Sequence, residues 1–161
     1  MLALPAADAA HPAFRNLFVQ TEIARESSAL LCTRRARSPE EKPPWLWHLM
    51  MGQEGQQDDL SCETDRGRFV GRGGTLASPA AMRTKAPLSN TVGSVLDPII
   101  SLRRTVSMPP NETAIIGLVL GVTESREAAL AQVAKYQSTR MAERAFDLAG
   151  TPSQVTLRQR N

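Results

Sequence analysis

The sequence predicts a mainly β chain with a C-terminal helical segment: an antiparallel β-sandwich followed by one or two helices. Three observations carry this. Apolar and polar side chains alternate through residues 101–108, and an apolar strand pattern returns after a PPNE turn at residues 113–122. Residues 45–51, WLWHLMM, are apolar on both faces, as in a strand covered on both sides. After Thr123 the period becomes that of a helix rich in Ala, Glu, Arg and Leu. Strands first and helix last argues against an alternating α/β fold.

From the start of the chain, MLALPAADAA lacks the basic flank of a signal peptide, and its LAL before Pro5 reads as the tail of a strand. Residues 14–23, FRNLFVQTEI, fit a short helix or an extended segment; residues 29–37, ALLCTRRAR, are apolar enough for a strand. SPEEKPP, residues 38–44, breaks regular structure because proline fixes φ and removes a donor. Within WLWHLMM, Trp45, Trp47, Leu49 and Met51 share one face, and Leu46 and Met50 lie on the other. GQEGQQDD, residues 52–59, reads as a polar connector.

SLRRTVSM, PPNE and TAIIGLVLGV, residues 101–122, predict a hairpin with a central return strand. Ala114, Ile116, Leu118, Leu120 and Val122 are expected inward, with Gly117 and Gly121 marking a close approach of another layer on the opposite face. In the helical segment Thr123 or Ser125 fits the cap, with Glu124 and Glu127 near the first turn. Leu130, Val133, Ala134, Met141, Ala145 and Leu148 form an apolar stripe. Gln137, Ser138 and Thr139 interrupt it, so one helix and two helices bent near Ser138 both fit, and Gly150 and Pro152 stop it.

The 161 residues fit one domain, and a net charge of +3 with 16 arginines and 3 lysines is spread in small groups beside acids. A nucleic-acid binder concentrates such charge on one stripe, so that class is set aside. Cys32 and Cys62 have no CxxC spacing and read as reduced, partly buried thiols in a cytoplasmic setting. The longest apolar run, residues 114–122, is about half a membrane span, and no membrane contact by this chain is expected.

Residues 63–74, ETDRGRFVGRGG, concentrate the candidate contacts. Gly67, Gly71, Gly73 and Gly74 match neither GxGxxG nor GxxxxGK[ST], and no helix pattern follows, so a phosphate loop is set aside. The segment reads as a strand and bend with Phe69 and Val70 inward. Arg66, Arg68 and Arg72 stand on its rim as contacts for a ligand or a neighbouring domain. Glu63 and Asp65 share a strand face, spaced to hold a sugar hydroxyl or to pair with those arginines. His11 and His48 lack metal-ligand spacing, there is no GxSxG elbow, and no catalytic, metal or cofactor constellation emerges.

Five segments, HPAFRNLFVQTE, ETDRGRFVGRG, LSNTVGSVLDPIISLRRTV, TESREAALAQVAKY and RAFDLAGTPSQVTLR, resemble in order and spacing the glycoside hydrolase family 94 module (formerly glycosyltransferase family 36) of cyclic β-1,2-glucan synthases. The resemblance spans nearly the whole chain. It implies a large N-terminal β-sandwich joined by linker helices to a catalytic α/α barrel. On that scheme residues 1–122 are a partial sandwich, residues 123–149 linker helices, and residues 150–161 the lead into the barrel.

The family's catalytic aspartate and phosphate-binding residues lie in the barrel and correspond to no position here. Where relatives carry a tryptophan and a histidine this chain has Gly150 and Pro152, which implies altered docking of linker on barrel. The expectation is a non-catalytic fragment of an inner-membrane-associated parent, with β-glucan or a barrel domain as partner. A stand-alone carbohydrate-binding module and an interaction subunit for a separate barrel are the alternatives.

Overall fold

Strands β1 (Val19–Ala24) and β2 (Ala29–Arg34) pair antiparallel across a 3-10 turn at Arg25–Ser27, with Ser28 at φ 51° closing the turn. The computed structural model describes residues 16–51, 59–138, 140–141 and 144–148. Proline-rich residues 38–44 carry no strand or helix, as expected, and β3 (Trp45–Met51) then pairs with β2. Most of the predicted connector lies outside the described residues.

A five-stranded antiparallel sheet results, in the order β5-β1-β2-β3-β7, with β5 (Gly93–Ser94) and β7 (Gly117–Thr123) at its edges. A second sheet pairs β4 (Ser61–Asp65) with β6 (Pro98–Arg103). Between them in sequence lie a one-turn helix α1 (Arg66–Val70) and a 3-10 turn at Ala80–Arg83. The longer helix α2 (Arg126–Tyr136) follows β7. Residues 140–141 and 144–148 are helical again after a bend at Ser138, which selects the interrupted form of the segment. Gly150 and Pro152 lie outside the described residues.

The sheet's pleat sorts its side chains onto two faces, one covered along its length and the other covered at β1 and β2. On one, Ala29, Leu31, Trp47, Leu49 and Met51 meet Ala129 and Val133 of α2, with Trp45, Val119, Leu130 and Tyr136 packed around them. The Trp47 and Tyr136 rings stack at 6.1 Å and 18°. Burial of a valine such as Val133 stabilises by about 1.5–3 kcal/mol, which fixes α2 on the sheet. The second sheet lies over the other face at β1 and β2, where Thr21 Oγ1 donates to Thr64 Oγ1 at 3.0 Å. Central β2 is therefore buried from Ala29 through Cys32.

Two expectations fail here. Residues 101–122 are not a hairpin: β6 pairs with β4, and β7 pairs with β3. Nor is β7 central with its leucines inward. Gly117, Val119 and Gly121 turn toward the helix side, while Leu118, Leu120 and Val122 are 60%, 63% and 51% exposed. The physical reason is bulk on β3. Met51 stands opposite Gly117 and Trp47 opposite Gly121, and both fill the space where β-carbons would sit. The glycines did mark a close approach, but the layer that approaches is the core.

Candidate functional site

The segment 63–74 begins in β4, and its acids are consumed locally. Glu63 is 3% exposed. Its Oε1 accepts the backbone N–H groups of Thr64 and Asp65, both at 3.0 Å, and its Oε2 accepts the hydroxyl of Ser89. The ladder slips between Glu63 and Asp65, so the two carboxylates do not continue one regular strand face. Asp65 instead caps α1: its Oδ1 accepts from Gly67 N at 2.8 Å and Arg68 N at 3.3 Å. The expected strand and bend is thus a strand followed by one helical turn. Aspartate is among the preferred N-caps, and that signal was readable in the sequence.

Gly71 ends the turn at φ +74°, its N–H bonding Gly67 O at 2.8 Å, with Ala80 against the place of its missing β-carbon. Phe69 and Val70 are half-buried. The arginines separate by role. Arg66 pairs with Asp97 at 3.3 Å, and its backbone N–H also bonds Asp97 O at 3.0 Å. Arg68 lies 3.9 Å from Asp65 with its side chain 63% exposed, and Arg72 is exposed in the turn beyond Gly71.

Behind this segment, hydroxyls and one amide join the two sheets. Thr64 Oγ1 donates to Thr91 O at 2.8 Å, and Gly93 N donates to Thr21 Oγ1 at 3.1 Å. Asn90 Oδ1 accepts from Cys62 N at 2.9 Å while the Asn90 backbone N–H donates to Cys62 O at 2.8 Å, next to a single parallel bridge between Glu63 and Thr91. Arg103 donates to the carbonyls of Ala81, Thr84 and Ala86, holding the loop between α1 and β5 to β6.

A cleft of about 370 Å³ opens between the sheets, lined by Val19, Thr21, Cys32, Leu46, Pro98, Ile99 and Ile100. One hydroxyl and one thiol in an otherwise apolar lining are poor chemistry for a pyranose, whose hydroxyls need convergent polar partners. Cys32 and Cys62 are free thiols, as expected. Burial pushes the Cys32 pKa up to about 12. Burial likewise raises that of Cys62, with Arg25 opposing and Glu63 adding to the rise. Neither is an activated nucleophile. His48 Nδ1 lies 3.3 Å from Val119 O, and among the described residues no three His, Cys, Asp or Glu cluster as metal ligands.

Sequence comparison supplies what the polar geometry does not. The family described as "Glycosyl hydrolase 94, supersandwich domain" matches residues 1–139. The chain belongs to this family. Two antiparallel sheets with short helices fit the supersandwich domain, and the family match runs through α2. The chain is also 35% identical, over 158 residues and 98% of its length, to the cyclic beta-(1,2)-glucan synthase NdvB of Rhizobium meliloti (strain 1021). It spans 6% of that synthase's length. Among the described residues no helix is long and apolar enough to cross a membrane.

Proposed function

We propose that this supersandwich chain is a non-catalytic scaffold piece of a cyclic β-1,2-glucan synthase-like, carbohydrate-active protein. The observation that carries the reading is the 35% identity to NdvB along 98% of the chain. The use of the two acids inside the fold supports it. Glu63 holds backbone and Ser89, and Asp65 caps a helix, so neither is disposed as a general acid. Residues 1–122 serve as the sandwich, 123–149 as linker helices, and 150–161 lead toward a catalytic α/α barrel. Of the five candidate contacts, Arg68 and Arg72 are the two left facing outward for a barrel domain or glucan. A cytoplasmic setting suits two free, buried thiols.

The test is phosphorolysis of β-1,2-glucan by the purified chain. No glucose 1-phosphate is expected, and its measurable release would sink the reading. The carbohydrate-binding-module alternative needs aromatic faces open for stacking, yet Trp47 is 4% exposed and stacked on Tyr136. Titrating tryptophan fluorescence with β-1,2-glucans is expected to give no shift. The interaction-subunit alternative predicts co-purification with a separately expressed barrel, reduced when Arg68 and Arg72 are both replaced by Gln.

A further inference from the structure

Between β4 and β6 the chain changes electrostatic character. Residues 66–96 carry Arg66, Arg68, Arg72, Arg83 and Lys85 and no aspartate or glutamate, in a chain whose charge is otherwise close to balanced. The first two cations are answered at the border of the span: Arg66 by Asp97 at 3.3 Å and Arg68 by Asp65 at 3.9 Å. The other three are exposed, and among the described residues no carboxylate pairs with them. Leu76 and Met82, in the same span, are 71% and 68% exposed. The span is irregular but held. Ala80 lies against Gly71, Gly74 N donates to Gly71 O at 3.1 Å, and Met82 N donates to Pro79 O at 3.0 Å. The Arg103 guanidinium binds the carbonyls of Ala81, Thr84 and Ala86, on either side of Arg83 and Lys85. Cations carried on a loop that is already ordered cost less to engage than cations on a loose one.

We propose that Arg72, Arg83 and Lys85, with Leu76 and Met82 among them, form a docking face for an acidic protein surface. This rests on the scaffold reading, and it narrows the partner from a barrel domain or glucan to a protein face bearing carboxylates. Guanidinium forks match carboxylates in bidentate pairs, and Arg and Met are enriched where proteins meet. A second copy of the chain brings the same cations and is repelled. A neutral glucan leaves three charges unanswered. The one aromatic residue of the span, Phe69, is half-buried, so neither sugar rings nor bases find a stacking platform there. An anionic bilayer surface is held by clusters of about 4–8 basic residues, and three fall short of that.

Fluorescence anisotropy of dye-labelled poly-L-glutamate, titrated with the full chain, tests this. Saturable binding at low salt that weakens as salt rises is expected. Arg72→Gln, Arg83→Gln and Lys85→Gln together are expected to weaken it about tenfold, as the loss of three surface pairs gives. Removing as much charge elsewhere, by Arg35→Gln, Lys42→Gln and Arg140→Gln together, is expected to weaken it less than about twofold. Far-UV circular dichroism checks that both variants fold. If the first does not, Arg83→Gln and Lys85→Gln singly are each expected to weaken binding about twofold. Equal losses in the two triple variants overturn the proposal, since net charge alone then accounts for the binding. Absence of binding overturns it too, as does tighter binding to polyphosphate of matched charge, phosphatidylglycerol vesicles or β-1,2-glucan than to poly-L-glutamate. Glucose 1-phosphate release in the phosphorolysis assay sinks the scaffold reading, whereas equal losses in the triple variants sink only the docking face, so the two failures are told apart.

Discussion

Gly121 stands directly across from Trp47 in the β3–β7 ladder, and the indole fills the volume that a β-carbon on Gly121 would need. The backbone of one strand is thus the packing partner for the largest side chain in the core. Tyr136 lies on the same indole, so the position of β7 and the seating of α2 are coupled through one ring.

Gly121→Ala should therefore destabilise by overpacking, at about 1–3 kcal/mol, because a β-carbon meets ring atoms and not the end of a flexible chain. Urea denaturation checks this. The same substitution at Gly73, where a β-carbon meets nothing within 4 Å, tests the alternative that any glycine here is sensitive. Gly73 has φ +72°, so its cost would be backbone strain alone.

The Cys32 thiol should resist modification by a disulfide reagent at pH 8 until the protein is unfolded. Its pKa of about 12 against an ordinary 9.0 also fixes the sign of a pH effect. Between these values the native state keeps the proton and the unfolded state loses it. Stability therefore falls as pH rises above about 9, by up to about 1.4 kcal/mol per pH unit from this group. Denaturation midpoints in the parent and in Cys32→Ala, compared between pH 8 and pH 11, should show a shallower decline in the variant.

Ser125 caps α2, accepting from Ala128 N at 3.1 Å, and Ser125→Ala should cost about 1 kcal/mol in the unfolding free energy. The Glu127 carboxyl is held below its ordinary pKa by its own backbone N–H, then by the Ser125 hydroxyl and Arg126. A depressed folded pKa contributes stability above the unfolded value of about 4.5, and that contribution disappears as pH falls through the folded value. The loss on Ser125→Ala should thus be larger at pH 7 than at pH 3.

Thr64→Val should cost about 1–3 kcal/mol, since it removes both the Thr21 acceptor and the donor to Thr91 O in a buried setting. A double-mutant cycle with Thr21→Val should show coupling. Additive effects would mean that the two sheets are not joined through this pair.

What the sequence made legible follows from how local each signal is. WLWHLMM read as a strand because seven consecutive apolar-rich residues admit little else, though only its Trp47, Leu49 and Met51 face is buried and its Leu46, His48 and Met50 face is half-buried. The helix start at Ser125 rested on a cap three residues from its bond. The hairpin at residues 101–122 failed because alternation says which residues share a face, but neither which strand pairs nor which face is covered. Leu118 and Leu120 look like core residues by type; only the bulk of Trp47 and Met51 across the ladder reverses them. Within the candidate site, Asp65 and Gly71 bracket a single helical turn, too short to leave a periodic trace. The fate of Glu63 depends on Ser89, 26 positions away, and spacing does not report such a contact.

The fork at Arg103 has a mechanical consequence. Residues 79–88 hold a single 3-10 turn and otherwise irregular chain, yet three of their carbonyls converge on one guanidinium rooted in β6. Arg83 and Lys85 sit inside that span and are exposed, so they offer a trypsin-like protease two cleavage points. Cutting there severs the chain without releasing either end: Ala81 on one side and Ala86 on the other remain tethered to the same cation. A nicked molecule would keep its shape, and the loop would behave as a clasp whose strength lies in its pin and not in the continuity of its strap.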